Sequence, residues 1–246
     1  MKERGFSNSS RSAIAALIMS SITANLQAVR QRIAAAVRAA GRPADSVRLV
    51  AVSKTFACAA VREAAAAGQS DFGENYVTEG VEKIRELSSL GLTWHYIGPI
   101  QSNKTRLIAE HFDWVHSIDR EKTAARLSQA RNPEQTELQV CIQVNVSGEA
   151  SKSGAAPGEI AALARKVADL PRLKLRGLMA IPEPTSDERV QRGRFAQLRA
   201  LRDELNRGGL ALDTLSMGMS ADMDAAIAEG ATLVRVGTAI FGERTS

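Results

Sequence analysis

Aromatic side chains are scarce in this sequence, at 4% of 246 residues. The core must therefore be filled mostly by Ala, Leu, Val and Ile. The same scarcity leaves no stacking platform among the basic residues, as a single-stranded nucleic acid would need. Lys and Arg total 32 against 27 acidic residues, and they form no long run. A net charge of +5 suits an anionic small ligand and argues against nucleic acid as a partner. Cysteine is nearly absent. Cys58 and Cys141 make neither a CxxC pair nor a disulfide framework, which implies a reducing compartment, the cytoplasm. No apolar run reaches the length of a membrane span. The stretch AIAALIM at 13–19 is followed by polar residues and then by a helical pattern, so a secretory core is not expected there. His95, His111 and His116 lack the close spacing of a metal site, and no metal is expected. There is no GxGxxG that follows a strand, opens a helix and precedes a distal acid.

What is present alternates. Residues 1–20 read as a poorly ordered or peripheral segment, and 21–246 as one domain. Ile22, Leu26, Val29, Ile33 and Val37 mark a helix closed by Gly41-Arg42-Pro43. Strand patterns then appear in RLVAVSKT, SDFGEN, WHYIGPI, WVHSI, LQVCIQVNV, LKLRGLMAI, LDTLSMG and TLVRVGTAIFG. Helical patterns separate them, the longest near 187–207 with Phe195, Leu198, Leu201 and Leu205 on one face. Strands apolar on both faces imply parallel pairing with helices outside. Eight such units after an extra N-terminal helix predict a single (β/α)8 TIM barrel. An open doubly wound sheet is the alternative. No linker or low-complexity break divides the chain.

In such a barrel the chemistry sits at the C-terminal ends of the strands. Lys54 closes the first strand pattern, where a charge is costly without a partner or a task. A lysine there becomes a nucleophile if desolvation or nearby positive charge lowers its pKa. A lysine snorkelling to the rim is the alternative. Asn75 and Tyr76 follow the second strand, where an amide and a phenol bind or pack a flat ring, or Asn75 caps a helix. His95 and Tyr96 lie in the third strand, followed by the polar stretch Gln101, Ser102, Asn103 and Lys104. Lys152, in SKSG, either faces the site or acts on its charge from a loop. Met179 either packs on a ring or fills the core. Ser220 precedes DMDAAIAEG, at the position where barrels bind phosphate, or is an N-cap. Gly237 permits close backbone approach in the eighth strand, and Thr238 adds a hydroxyl. Arg235, two residues earlier and on the same side, donates to a ring nitrogen or pairs with a carboxylate. Together these residues read as a site in which Lys54 takes an aldehyde cofactor as a Schiff base while the late segments hold its phosphate and ring.

Several of these segments are similar to those of a known family. VAVSKT, FGENYVTE, WHYIGPIQSNK, SGEASKSG, GLMAIP, LSMGMSADMDAAI and VRVGTAIFG resemble the pyridoxal phosphate homeostasis proteins, the YggS/PROSC group, over about residues 20–243. The resemblance implies an alanine racemase N-terminal domain-like barrel that binds pyridoxal 5′-phosphate without established turnover. It implies a part in vitamin B6 balance and in delivery of cofactor to apo-enzymes. It makes Lys54 the internal-aldimine lysine and Arg235 the partner of the pyridine nitrogen. It makes Ser220, Gly237 and Thr238 the phosphate cradle. Asn75 and Met217 are placed near the cofactor by the same likeness, and Lys152 is linked to cofactor handling. Tyr96 stands where many members have Phe, and Ser147-Gly148-Glu149 is a variant of a variable loop. A missing second domain implies an open-faced site suited to ligand exchange.

A non-catalytic, monomeric cofactor-binding protein is the expected function. An amino-acid racemase or lyase using the same lysine is one alternative, with Tyr76 or Lys152 as its second acid/base. A Schiff-base aldolase or sugar-phosphate isomerase is the other.

Overall fold

The computed structural model describes residues 8–148 and 153–243, with side chains from Ser21 onward. Helix α1 (Asn8–Ala39) comes first. Eight units follow: β1 (Arg48–Val52) and α2 (Cys58–Ala66), β2 (Asp71–Glu74) and α3 (Val77–Glu86), β3 (Thr93–Tyr96) and α4 (Thr105–His111), β4 (Trp114–Ile118) and α5 (Glu121–Ala130). The second half adds β5 (Leu138–Gln143) and α6 (Ile160–Ala168), β6 (Leu173–Met179) and α7 (Glu188–Arg207), β7 (Thr214–Ser216) and α8 (Met223–Ala228), β8 (Leu233–Val236) and α9 (Thr238–Phe241). The strands close into a barrel in sequence order, with every pair parallel and β8 returning to β1. The expected (β/α)8 TIM barrel is the fold, and the open sheet is excluded by the β1–β8 pairing of Arg48 to Ala51 with Leu233 to Val236.

Two packed regions follow from the alternation of strand side chains. Outward residues such as Leu49, Ala51, Phe72, Val115, Val140, Leu215 and Val234 meet the helices in one continuous core. Phe72, Phe112 and Phe195 head the largest fully buried side chains, and Ile and Leu supply the rest. Inward residues Val50, Trp114, Cys141, Met179 and Leu233 form a separate cluster inside the barrel. Met179 is thus an interior core residue, of the two roles open to it.

Two strand ends differ from the sequence expectation. The last strand stops at Val236, and Thr238 opens the short helix α9 instead of extending the strand. Gly237 makes the change of direction, its carbonyl accepting from the N–H groups of Ile240 and Phe241 at 2.8 and 3.0 Å. A Cβ at Gly237 would stand 3.1 Å from the Val52 carbonyl oxygen, so a larger residue would require β1 to give by a few tenths of an ångström. Likewise β1 stops at Val52, and Lys54 lies in the turn beyond it.

Helix α1 bears directly on the mouth of the barrel. Its buried face, Ile22, Leu26, Val29, Ile33 and Val37, is the one that the helical spacing marked. Its polar side holds the last two loops. Arg32 Nη1 donates to the Ser220 carbonyl at 2.7 Å and pairs with Asp224 at 2.9 Å. Asn25 Nδ2 donates to the Ile240 carbonyl at 3.1 Å, satisfying an orphan acceptor at the end of α9.

Candidate functional site

Lys54 projects from a turn whose backbone is unusual. Thr55 has φ 70°, a left-handed conformation that a β-branched residue rarely adopts. The turn is held from the outside of the barrel by a buried ammonium. Lys83 Nζ donates to the Ser53 carbonyl at 2.7 Å, to Glu74 Oε1 at 2.8 Å and to Glu79 Oε1 at 2.6 Å. Ser53 Oγ donates to Glu74 Oε1 at 2.6 Å, and the Thr55 N–H donates to Glu79 Oε1 at 2.6 Å. Burial pushes the Glu74 carboxyl above the ordinary carboxylate range, and Lys83 and Ser53 pull against it. Removing one partner from such a buried pair typically costs about 3–5 kcal/mol, because a charge is left behind without compensation. The knot therefore fixes residues 53–55 more firmly than a surface loop would be.

Arg235 enters from the neighbouring strand β8, where it is paired with Val50 of β1. It is 3% exposed, and among the described residues no carboxylate lies within ion-pair distance of it. Its Nη1 donates to Ser216 Oγ at 2.6 Å and its Nη2 to the Ala180 carbonyl at 2.9 Å. Burial pulls its pKa down to about 10, with Asp222 resisting, so the guanidinium stays charged at neutral pH. Ser220 is not the cap of α8; that position belongs to Asp222, whose Oδ1 accepts from the Met219 N–H at 2.6 Å. Asn75 does not cap α3 either, since Tyr76 occupies that position. Asn75 Oδ1 is buried without a hydrogen-bond partner. A buried acceptor left bare is costly, and a donor arriving with a ligand would relieve it.

These pieces meet in one cavity of about 330 Å³ at the C-terminal mouth of the barrel, within the size range of small-molecule sites. Lys54, Asn75, Ser220, Arg235, Gly237 and Thr238 line it, with Val52, Phe56, Ile97, Ile181 and Met219 as apolar walls. Met217, placed near the cofactor by resemblance, is fully buried and does not line the cavity; Met219, two residues later, does. Lys152 lies outside the described residues. Tyr76 is 52% exposed and stands outside the cavity. Tyr96 faces away from the barrel axis, edge-on to Phe112, and donates to the Pro99 carbonyl at 2.9 Å. Among the described residues no cluster of His, Cys, Asp and Glu could hold a metal ion, and no helix is long and apolar enough to cross a membrane. A primary amine, two hydroxyls, a fixed cation and a bare amide oxygen around an apolar slot fit a flat phosphorylated aldehyde.

Sequence reasoning missed the floor beneath this cavity. His95 and His116 stand 2.9 Å apart inside the barrel, Nδ1 to Nε2. His95 Nε2 lies 3.0 Å from Asp71 Oδ1, and His116 Nδ1 lies 2.7 Å from Ser216 Oγ. The available signal was parity. Asp71, His95, His116, Ser216 and Arg235 are polar residues at inward positions of otherwise apolar strands.

The chain matches the family described as alanine racemase, N-terminal domain, over residues 24–245. A pyridoxal phosphate homeostasis protein of Pseudomonas aeruginosa is 61% identical over 226 residues, covering 92% of this chain and 97% of that one. One from Escherichia coli is 53% identical over 229 residues, covering 92% and 98%. The structure of PipY from Synechococcus elongatus with pyridoxal phosphate bound has a TM-score of 0.79 at 40% identity, covering 90% of this chain and all (100%) of that one. An alanine racemase from Corynebacterium glutamicum shares the fold at a TM-score of 0.70 and 15% identity, covering 92% of this chain and 62% of that one. Likeness of this extent shows that the chain belongs to the pyridoxal phosphate homeostasis protein family, built on the alanine racemase N-terminal domain.

Proposed function

We propose that this protein binds pyridoxal 5′-phosphate in the cavity at the barrel mouth and serves the cellular balance of that cofactor. The observation that carries the reading is the convergence of Lys54, Asn75, Ser220, Arg235, Gly237 and Thr238 on one cavity. The bound cofactor supplies an aldehyde that condenses with a primary amine and releases water. Lys54 is the amine. Ser220 and Thr238 hydrogen-bond the phosphate from the loops after β7 and β8. Arg235 donates to the ring nitrogen, and Asn75 accepts a donor at its bare Oδ1. Lys152 assists in handling the cofactor.

Holding and passing on the cofactor, without turnover of a substrate, is the role we assign. A guanidinium keeps its proton, so the ring nitrogen beside it stays unprotonated and the ring is a poor electron sink. Tyr76, one of the two acid/base candidates of a racemase beside Lys152, does not line the cavity. The names of the relatives, pyridoxal phosphate homeostasis proteins, support the same role. The acceptors are cofactor-free enzymes of the pyridoxal phosphate class, and the working unit is a cytoplasmic monomer.

Titration of the purified chain with pyridoxal phosphate, followed by borohydride reduction and peptide mapping, tests the reading. A yellow complex with its adduct on Lys54, lost in Lys54→Ala, is expected. An adduct solely on another lysine would overturn the assignment. Rapid turnover of an amino acid, lost in Lys54→Ala, would overturn the non-catalytic role.

A further inference from the structure

We propose that Ser216, His116, His95 and Asp71 are positioning residues for Arg235. They form a one-directional hydrogen-bond chain through the barrel that locks the guanidinium against the ring of the bound cofactor. The inference rests on the binding reading above and assigns it a second, hidden layer.

The direction follows from what each atom is able to donate. Asp71 is held by Arg48 Nη2 at 2.6 Å and by Ser70 Oγ at 2.8 Å. Burial opposes its ionisation, but His95, Arg48 and Ser70 together keep its carboxyl below the ordinary value. An ionised carboxylate only accepts, so His95 Nε2 carries the proton across the 3.0 Å contact. Burial holds both imidazoles below their usual pKa, His116 well below, so each ring carries one proton at neutral pH. His95 Nδ1 is then bare and accepts from the Nε2–H of His116 at 2.9 Å. His116 Nδ1 is bare in turn and accepts the Ser216 hydroxyl proton at 2.7 Å. With its own proton given away, Ser216 Oγ accepts from Arg235 Nη1 at 2.6 Å. Each link thus fixes the next, and only this assignment satisfies every contact with both rings neutral.

The placement suits the task. Asp71 begins β2, His95 and His116 are the third residues of β3 and β4, and Ser216 ends β7. The chain climbs from the N-terminal end of β2, where Asp71 stands, to the cavity that Arg235 lines. Trp114 stacks on His95 at 5.4 Å and 17°, which restrains the ring from flipping. A buried guanidinium without a carboxylate partner needs oriented acceptors to stay charged and in place. Ser216 is one of two, and its orientation is set three links away.

Two measurements test the chain. The first needs no cofactor: ¹⁵N spectra of histidine-labelled, cofactor-free protein near neutral pH. Both buried rings are expected to be neutral, with Nε2 protonated and Nδ1 bare. An Nδ1–H tautomer or an imidazolium at either ring overturns the proposal. The second uses pyridoxal phosphate labelled at the ring nitrogen and reduced onto Lys54. Ser216→Ala is expected to move the ring ¹⁵N signal and weaken reversible binding roughly tenfold or more. Ser216→Thr, which keeps the hydroxyl, restores both. His95→Gln is expected to move the same signal from three links beyond Arg235. An unchanged ring signal in Ser216→Ala, with the adduct still on Lys54, overturns the chain and leaves the binding reading standing. Failure to label Lys54 in the unsubstituted protein overturns the binding reading, and the histidine spectra then judge the chain by themselves.

Discussion

At the scale of single residues, the turn that carries Lys54 stores strain next to the residue it presents. A left-handed L-residue costs about 1–2 kcal/mol, and Thr55 adopts that conformation beside the reactive amine. Lys83, Glu79 and Glu74 over-determine the turn and keep it there. Replacing Thr55 by Gly should release the strain, set against a loss of about 0.5–1 kcal/mol from the added freedom of the unfolded chain. A net gain of about 0.5–1 kcal/mol in the cofactor-free protein is expected, or a rise of about 2 °C in melting temperature. The same variant should bind pyridoxal phosphate several-fold more weakly, because the freed turn no longer pre-positions the lysine. Thermal melting and equilibrium titration measure the two effects. A loss of stability with unchanged binding would show that the turn stores nothing useful. Sequence reading brought Lys54 to the mouth of the barrel because a charge follows an apolar strand, although the strand stops two residues earlier. It did not see the strain, because Thr55 gives no local sign of a positive φ; the conformation is imposed by Glu79 and Lys83 from the next unit.

At the scale of elements, the site is built from loops after several strands, and two of those loops are pinned by α1. Arg32 reaches the Ser220 carbonyl, and Asn25 reaches the end of α9. Both candidate phosphate hydroxyls, Ser220 and Thr238, therefore depend on a helix outside the eight-fold repeat. Substituting both by Ala should weaken binding of pyridoxal phosphate more than binding of pyridoxal. Each lost charge-assisted hydrogen bond costs about 1.5–3 kcal/mol, with no requirement that the two add. Equal losses for the two ligands in equilibrium titrations would remove the phosphate role. The elements themselves were legible as strand and helix periods. β4 falls on the stretch WVHSI, and α7 lies within one residue of its expected start. The ends were harder to read. The apolar run VRVGTAIFG looks like one long strand, but β8 runs out of pairing at Val236 and the chain turns into α9 at Gly237. Met217 and Met219 illustrate the same limit. They differ by two residues and both lie beyond the end of β7 at Ser216, where strand parity no longer says which one faces the cavity.

At the scale of the whole molecule, the barrel interior is a polar column in a fold usually filled with branched apolar side chains. Val50, Trp114, Cys141, Met179 and Leu233 share that interior with Asp71, His95, His116, Ser216 and Arg235. The sequence places His95 in the third strand and spaces the histidines too widely for a metal, but it does not bring His95 to His116. Their meeting depends on the β3–β4 register, which pairs His95 with Trp114 and sets His116 one inward position higher. No local pattern encodes that register. The column makes stability depend on pH in a definite direction. Burial holds both imidazoles below their ordinary pKa of about 6.5. As pH falls through about 6.5 the unfolded chain takes up protons that the folded chain refuses. Stability is therefore complete above that pH and is lost below it, by up to about 1.4 kcal/mol per pH unit for each ring. Glu74 and Glu63, whose carboxyls are raised by burial, act in the opposite sense, and Asp71 acts in the same sense at lower pH. The interval between about pH 7 and pH 5 thus belongs chiefly to the histidine pair. The cofactor-free protein should lose on the order of 5 °C in melting temperature across it. The double variant His95→Gln with His116→Gln should melt lower near neutral pH and show a flatter slope, since amides have no proton to gain. A melting temperature that holds constant across this interval would mean that the pair takes up protons without penalty, and the column would then be no barrier to charge.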